Sequence, residues 1–152
     1  MQSGEIVAMG DNPAAFEALD AHLERLKRVQ GINEEAAPDI ADGFEKLVRS
    51  NVAAQVDPYG HPFYPSKDGL PVLINAAEHV TTTAKGTTIT QELTGVEVRH
   101  QNGSAKGYHG GSLKLGGFRR PIIPFNKLPG PFKAVCRDKL QTRFNIIFAG
   151  GK

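Results

Sequence analysis

The residue types that usually perform catalysis or bind metals are present in this chain, but they do not form a recognisable motif. Five histidines are spread along it: His22, His61, His79, His100 and His109. None has the paired spacing that builds a metal site. No serine stands in a nucleophile elbow, and the glycine pairs lack the Gly-Lys-Ser/Thr of a phosphate loop. The sequence therefore predicts no enzyme activity, no metal site and no cofactor.

A basic, glycine-rich stretch points instead to contact with a partner. Residues 96–124 read VEVRHQNGSAKGYHGGSLKLGGFRRPIIP. Val96 and Val98 alternate with charged residues, which predicts a strand that stops at the turn formers that follow. The glycines beyond it offer little surface for packing, so we expect this loop to become ordered against a partner. Its candidate contact residues are Lys106, Tyr108, Lys114, Arg119, Arg120 and Pro121.

Charge is distributed unevenly along the chain. Residues 1–102 hold 8 Lys/Arg against 15 Asp/Glu, a formal charge of −7, whereas residues 103–152 hold 10 against 1, or +9. A basic C-terminal third indicates either nucleic acid or an acidic protein surface as the partner. The acidic surface can belong to a second copy, because contacts between two different faces of one chain close into a ring when the rotation allows.

An irregular segment at residues 57–70 is the second candidate for contact. Three prolines and two glycines within it forbid regular structure. The aromatic residues Tyr59, Phe63 and Tyr64 either contact a partner or fold back to close the edge of the core, and both can hold.

These two segments carry a set of short motifs in a fixed order. The first is Asp57-Pro58-Tyr59-Gly60-His61-Pro62-Phe63-Tyr64-Pro65, and the second is His100-Gln101-x-Gly103 followed by Arg120-Pro121 and an apolar pair. Along residues 41–132 this ordered set resembles a family of tailed-phage virion-morphogenesis proteins, which complete tails and join them to heads. The family commonly has Tyr-Ala at Val96-Glu97 and Trp at Phe63.

The resemblance implies a structural virion protein that forms a ring with itself, a hexamer, in the neck between head-side connector proteins and the tail tube protein. It also implies location in the virion after assembly in the host cytoplasm, and no contact with a membrane. His100 and Gln101 would hydrogen-bond the backbone at a strand end. The candidate assembly contacts are Tyr59, Phe63, Tyr64, His100, Gln101, Tyr108, Arg119, Arg120 and Pro121. The candidate contacts with passing double-stranded DNA or an acidic partner are Lys106, Lys114, Arg119 and Arg120.

A second function stays open, that of a small nucleic-acid-binding protein that uses its basic C-terminal third without sequence preference. It predicts tight binding that weakens steeply with salt. The chain shows neither a recognition-helix motif nor an aromatic base-stacking signature, so the structural interpretation is preferred.

The predicted elements form an α+β fold, with two N-terminal helices and a C-terminal helix on a small antiparallel sheet. A helical hairpin at about residues 12–55 begins at Asn12 and Pro13, turns at Gly31 and continues in a second helix that Asn33 caps. Pro38 is expected in the first turn of that helix. A short helical turn at 70–78 is followed by a three-stranded meander at about 79–100, by the loop 101–130 and by a helix at about 131–144. Residues 146–148 either prolong this helix or add a further strand, and the strand is favoured.

Length and composition bound these predictions. The 152 residues suit one domain, and no apolar run approaches the length that spans a bilayer. The first ten residues lack the features of a secretory signal, which fits assembly in the cytoplasm. Cys136, the single cysteine, lies on the apolar side of a predicted helix, which favours a buried thiol.

Overall fold

The computed structural model describes residues 12–102 and 120–149 of the chain. Within these residues the elements are α1 (Pro13–Gln30), α2 (Ile32–Ala53), a 3₁₀ helix (Ala76–His79), β1 (Val80–Lys85), β2 (Thr88–Leu93), α3 (Glu97–Asn102) and α4 (Gly130–Phe148). Helices and a small antiparallel sheet occupy separate parts of the chain, which confirms the predicted α+β class.

The hydrophobic core is built on α2, whose buried stripe has helical spacing. Its buried residues include Ile40, Phe44, Val48 and Val52. α4 packs against this stripe, and the Phe132 ring lies edge-on to Phe44 with ring centroids 4.9 Å apart. β1 and the 3₁₀ helix also contact α2. Helices and sheet therefore share one hydrophobic cluster.

Gly43 sets the distance between α2 and α4. A Cβ built on it would lie 2.5 Å from Cγ1 of Val135, closer than real side chains approach. The missing side chain lets the two helices come close together, which offsets the cost of a glycine in a helix interior.

α1 begins and ends as predicted but packs differently. The Asn12 side-chain oxygen accepts a hydrogen bond from the Ala15 amide at 3.3 Å, and Pro13 is the first helical residue. No residue of α1 is buried, and its contacts with α2 and α4 are sparse. The predicted antiparallel packing of α1 along α2 is therefore wrong. Gly31 alone joins the two helices, a connection shorter than helical hairpins use.

The start of α2 also differs from the prediction. The helix begins at Ile32, so Asn33 lies inside it and does not cap it. Pro38 is consequently in the helix interior, not in its first turn, and it lies on the exposed side. Because proline has no N–H, one carbonyl of the preceding turn loses its helical hydrogen bond there.

The sheet has two strands instead of the predicted three. β1 and β2 pair in antiparallel register, from Val80 opposite Leu93 to Lys85 opposite Thr88. The first hairpin of the predicted meander is thus confirmed. Gly86 has a φ of +59° in this turn, a conformation that tight hairpins require and glycine adopts without strain.

α3 stands where the third strand was predicted. Gly95, with a φ of +75°, turns the chain after β2. Glu97 and Gln101, one helical turn apart, are buried, whereas Val96 and Val98 are exposed. The alternation of valines with charged residues therefore indicated the wrong period and the wrong buried face.

α4 is longer than the predicted helix and ends at Phe148. The interpretation of residues 146–148 as a strand is wrong, because Ile147 lies in the core as a helical residue. Tertiary packing has outweighed the strand preference of the β-branched pair.

Candidate assembly site

Gln101 connects α3 to the segment that leads into α4. Its side-chain oxygen accepts hydrogen bonds from the amides of Ile122 at 2.7 Å and Ile123 at 3.1 Å, and its side-chain nitrogen donates to the Ile123 carbonyl at 2.8 Å. The residue is 7% exposed. The predicted binding of this amide to backbone is confirmed, although Gln101 lies on a helix and not at a strand end.

Arg120 connects the segment before α4 to the irregular segment at residues 57–70, which we call the aromatic loop. Its guanidinium donates to the carbonyls of Tyr64 at 2.7 Å and Pro65 at 3.1 Å, and its backbone amide donates to the His100 carbonyl at 2.9 Å. The residue is 5% exposed. The guanidinium is therefore enclosed and donates to the chain's own carbonyls, which leaves little of its surface for the predicted contact with DNA or an acidic partner.

The His100 ring lies beside this guanidinium, with Nδ1 3.5 Å from Nη1 of Arg120. Burial lowers the pKa of His100, the positive charge of Arg120 lowers it further, and Glu97 acts in the opposite direction. The imidazole is therefore neutral at neutral pH, which allows it to accept a hydrogen bond from the guanidinium.

Tyr59 fixes the aromatic loop to the chain that follows Pro121. Its hydroxyl oxygen accepts hydrogen bonds from the amides of Phe125 at 3.3 Å and Asn126 at 3.0 Å. Its ring lies edge-on to that of Phe125, with centroids 5.3 Å apart. We call the contacts made by Tyr59, Gln101 and Arg120 the motif junction.

The loop itself is shaped by Asp57. One carboxylate oxygen accepts hydrogen bonds from the amides of Tyr59 at 2.8 Å and His61 at 2.9 Å, and the other lies 3.1 Å from Nδ1 of His61. Such bonds from an aspartate to amides further along the chain are typical of tight turns. Asp57 thereby orients Tyr59 toward its partners across the junction.

The remaining predicted contacts divide by exposure. Phe63 is buried, as in the interpretation that it closes the edge of the core, and Pro121 is buried as well. Tyr64 is 39% exposed and remains accessible from outside. Four predicted contacts lie outside the described residues: Lys106, Tyr108, Lys114 and Arg119.

A second glutamine was missed in the sequence. The Gln55 side chain donates to the carbonyls of Val52 at 2.9 Å and Val72 at 2.8 Å, and accepts from the Val72 amide at 2.7 Å. Its backbone φ is +58°, which is unusual for a residue with a side chain. Gln55 thus holds both ends of the 57–70 loop together, and no sequence signal distinguishes it from a surface glutamine.

A buried carboxylate lies next to the junction. Glu97 is 7% exposed, and its Oε1 is 3.6 Å from Nε2 of His79. Its Oε2 has no hydrogen-bond partner among the residues that the structure describes. A Cβ on Gly95 would lie 2.8 Å from this oxygen, so the glycine leaves room for the carboxylate.

The basic side of α4 is partly used within the chain. Arg143 donates to the Asp39 carboxylate of α2 at 2.7 and 3.1 Å. Lys133 and Arg137 are exposed. Arg143 therefore holds α4 against α2.

Neither a metal cluster nor a membrane-spanning helix is found in the described part of the chain. No group of three or more His, Cys, Asp or Glu residues within ranges 12–102 and 120–149 is placed to hold a metal ion. Among the helices of the same ranges, none is long and apolar enough to cross a membrane.

Comparison with known proteins found no matching family model, no matching curated protein and no matching solved structure. Function is therefore inferred from the residues and their geometry.

Proposed function

We propose that this chain is a structural protein of a tailed phage or phage-like particle, which completes the tail and joins it to the head as a ring in the neck. One observation carries the proposal. The short motifs that resemble the virion-morphogenesis family are separated in sequence but meet in space. Arg120 of the second motif binds the carbonyls of Tyr64 and Pro65 in the first.

The chemistry of the motif junction supports a structural role. Gln101, Arg120 and Tyr59 direct their polar atoms to backbone amides and carbonyls of neighbouring segments. Groups used in this way fix the chain geometry, because each buried polar group needs its partner. Motif residues of this kind are typical of a protein whose function depends on shape.

The junction also defines where the basic segment starts and ends. Residues 103–119 follow α3 and precede Arg120, so both ends of the segment are attached to the junction. In the ring, this segment contacts a neighbouring subunit, a head-side connector protein or the tail tube protein. Lys106, Lys114 and Arg119 also supply positive charge for phosphate groups of DNA that passes through the lumen.

Electron microscopy of particles from a producing strain that lacks this gene tests the proposal. We expect filled heads that accumulate apart from tails, because the connection between them is missing. The length of the free tails reports whether tail termination also depends on the protein. Joined virions of ordinary appearance would refute the structural role, and duplex binding as a function of salt would then test the nucleic-acid alternative.

Complementation with variants makes the test specific to the basic segment. A gene that carries K106A, K114A and R119A is expected to leave heads and tails separate. A matched gene that carries K67A, K85A and K127A removes three exposed lysines elsewhere and is expected to restore joined virions. Equal restoration by both genes would exclude a role for the basic side chains.

A further inference from the structure

α1 carries an apolar face that its own subunit does not cover. Phe16, Leu19, Leu23 and Leu26 are 44–51% exposed, and no residue of the helix is buried. Their spacing of three, four and three residues places them on one narrow stripe, as in the seam of a coiled coil. A contiguous exposed stripe of large apolar side chains indicates an interaction surface.

A second apolar surface lies between the start of α2 and α4. It is an open groove of about 560 Å³, and Leu128, Cys136, Leu140 and Phe144 line it. Lys133 and Arg137 also line it and add positive charge. We call this surface the α4 groove.

The two surfaces are complementary in charge. The acidic residues of α1, Glu17, Asp20 and Glu24, all precede its basic residues. Glu17 and Asp20 form no ion pair within the described part of the chain, while Glu24 pairs with Lys27 at 2.6 Å. The N-terminal part of α1, up to Glu24, is therefore acidic beside its apolar stripe, and it matches an apolar groove with basic side chains.

We propose that α1 of one copy binds in the α4 groove of the next copy in the ring. Its stripe residues Phe16, Leu19 and Leu23 enter the groove, and Glu17 and Asp20 face Lys133 and Arg137. Since the helix and the groove are different surfaces, the contact is head-to-tail, and repetition closes a ring. This proposal rests on the proposed function, and in it the partner of α1 is a second copy of the chain.

Cross-linking between α1 and the native thiol tests the contact directly. In an L19C variant, a short bifunctional methanethiosulfonate reagent should join the introduced thiol to Cys136 of the neighbour. Because burial raises the pKa of the Cys136 thiol, the reaction is run at about pH 8. Head-to-tail contacts predict a ladder of dimer, trimer and larger species on a denaturing gel, since every subunit is linked on both sides.

Two matched variants identify the alternatives. A21C places the thiol on the opposite side of α1, and we expect no ladder from it. L19C combined with C136A should also give no ladder, and a strong dimer from it would show that two α1 helices pair with each other, which would overturn the proposal. A cross-link confined to the monomer would overturn it too, because α1 would then occupy its own groove.

Charge reversal provides a readout that does not depend on the thiol. E17K/D20K should reduce the oligomer fraction in mass photometry at least tenfold at low salt, and the added changes K133E/R137E should restore it. An oligomer fraction that E17K/D20K leaves unchanged would refute the contact. If these tests fail while the gene deletion still separates heads from tails, the neck function stands and only this contact is wrong.

Discussion

α1 and α2 are joined by one residue, and both carry an apolar stripe at helical spacing. The stripe of α2 is buried, whereas the stripe of α1 is exposed. α2 buries Ile40, Phe44, Val48 and Val52 against α4, the 3₁₀ helix and β1. α1 buries none of its residues. The comparison teaches that periodicity predicts which face of a helix is apolar, but not which surface covers that face.

The two helices also differ in what their apolar residues contribute to stability. The polar contacts of the motif junction, like the apolar contacts of α2, lie within one subunit. The stripe of α1 contributes little to the stability of the isolated subunit, because its side chains remain largely in contact with water. Substitutions in the two regions should therefore change different measured quantities.

The largest effect is expected from Phe44→Ala in α2. The ring is 6% exposed and lies against Phe132, so its removal leaves a cavity in the core. We expect the free energy of unfolding to fall by about 3–5 kcal/mol. Urea denaturation followed by circular dichroism measures it, and a loss below about 1 kcal/mol would contradict the described packing of α4 on α2.

A smaller loss is expected from Gln101→Leu at the motif junction. Leucine nearly preserves the volume but leaves the amides of Ile122 and Ile123 without their acceptor, at a cost of about 2–3 kcal/mol. The same urea experiment measures it. Gln91→Leu is the matched control. Among the described residues the Gln91 side chain hydrogen-bonds Thr82 alone, at 3.2 Å, so the free energy of unfolding should fall clearly less. Equal losses of unfolding free energy in both variants would show that the junction hydrogen bonds stabilise the fold no more than the Gln91 bond does.

Acid should weaken the junction through His100. The pKa of this residue is lowered in the folded state, so its contribution to stability is complete above the unfolded value of about 6.5. That contribution is lost as the pH falls from there through the folded pKa. We expect the urea midpoint to drop as the pH falls below about 6.5, and to drop less in His100→Gln. Parallel pH profiles would exclude His100 as the source.

The smallest effect on the subunit is expected from Phe16→Ala, which repeats the first substitution on the uncovered helix. Because the Phe16 ring is 46% exposed, the free energy of unfolding of the monomer should change by less than about 0.5 kcal/mol. Size-exclusion chromatography should nevertheless show a smaller oligomer fraction. A monomer destabilised as strongly as by Phe44→Ala would mean that α1 packs on its own subunit.

The sequence was informative where one local rule acted alone. The Asn12 cap and the β1–β2 hairpin were predicted because capping and turn chemistry each act within a few residues. Tertiary contacts decided the other elements. α3 was mistaken for a strand because its buried face is polar, and the partners of Glu97 and Gln101 come from distant segments.

In the candidate site, too, local rules were predictive and tertiary contacts were not. The motifs directed attention to Gln101 and Arg120, but the sequence cannot show that the Arg120 guanidinium lies against carbonyls more than fifty residues away. A cation in a basic stretch is expected in solvent, and burial reverses that expectation only when acceptors surround it. Gln55 was missed for the same reason, because its partner Val72 lies across an irregular loop.

The hydrogen bonds of the motif junction join the residues that precede Gly103 to those that follow Arg119. The Arg120 amide bonds the His100 carbonyl, and the Gln101 side chain bonds Ile122 and Ile123. With both ends already tied, each doubling of such a connection costs only about 0.6 kcal/mol of closure entropy. We therefore expect that insertions between Asn102 and Arg120 cost little stability.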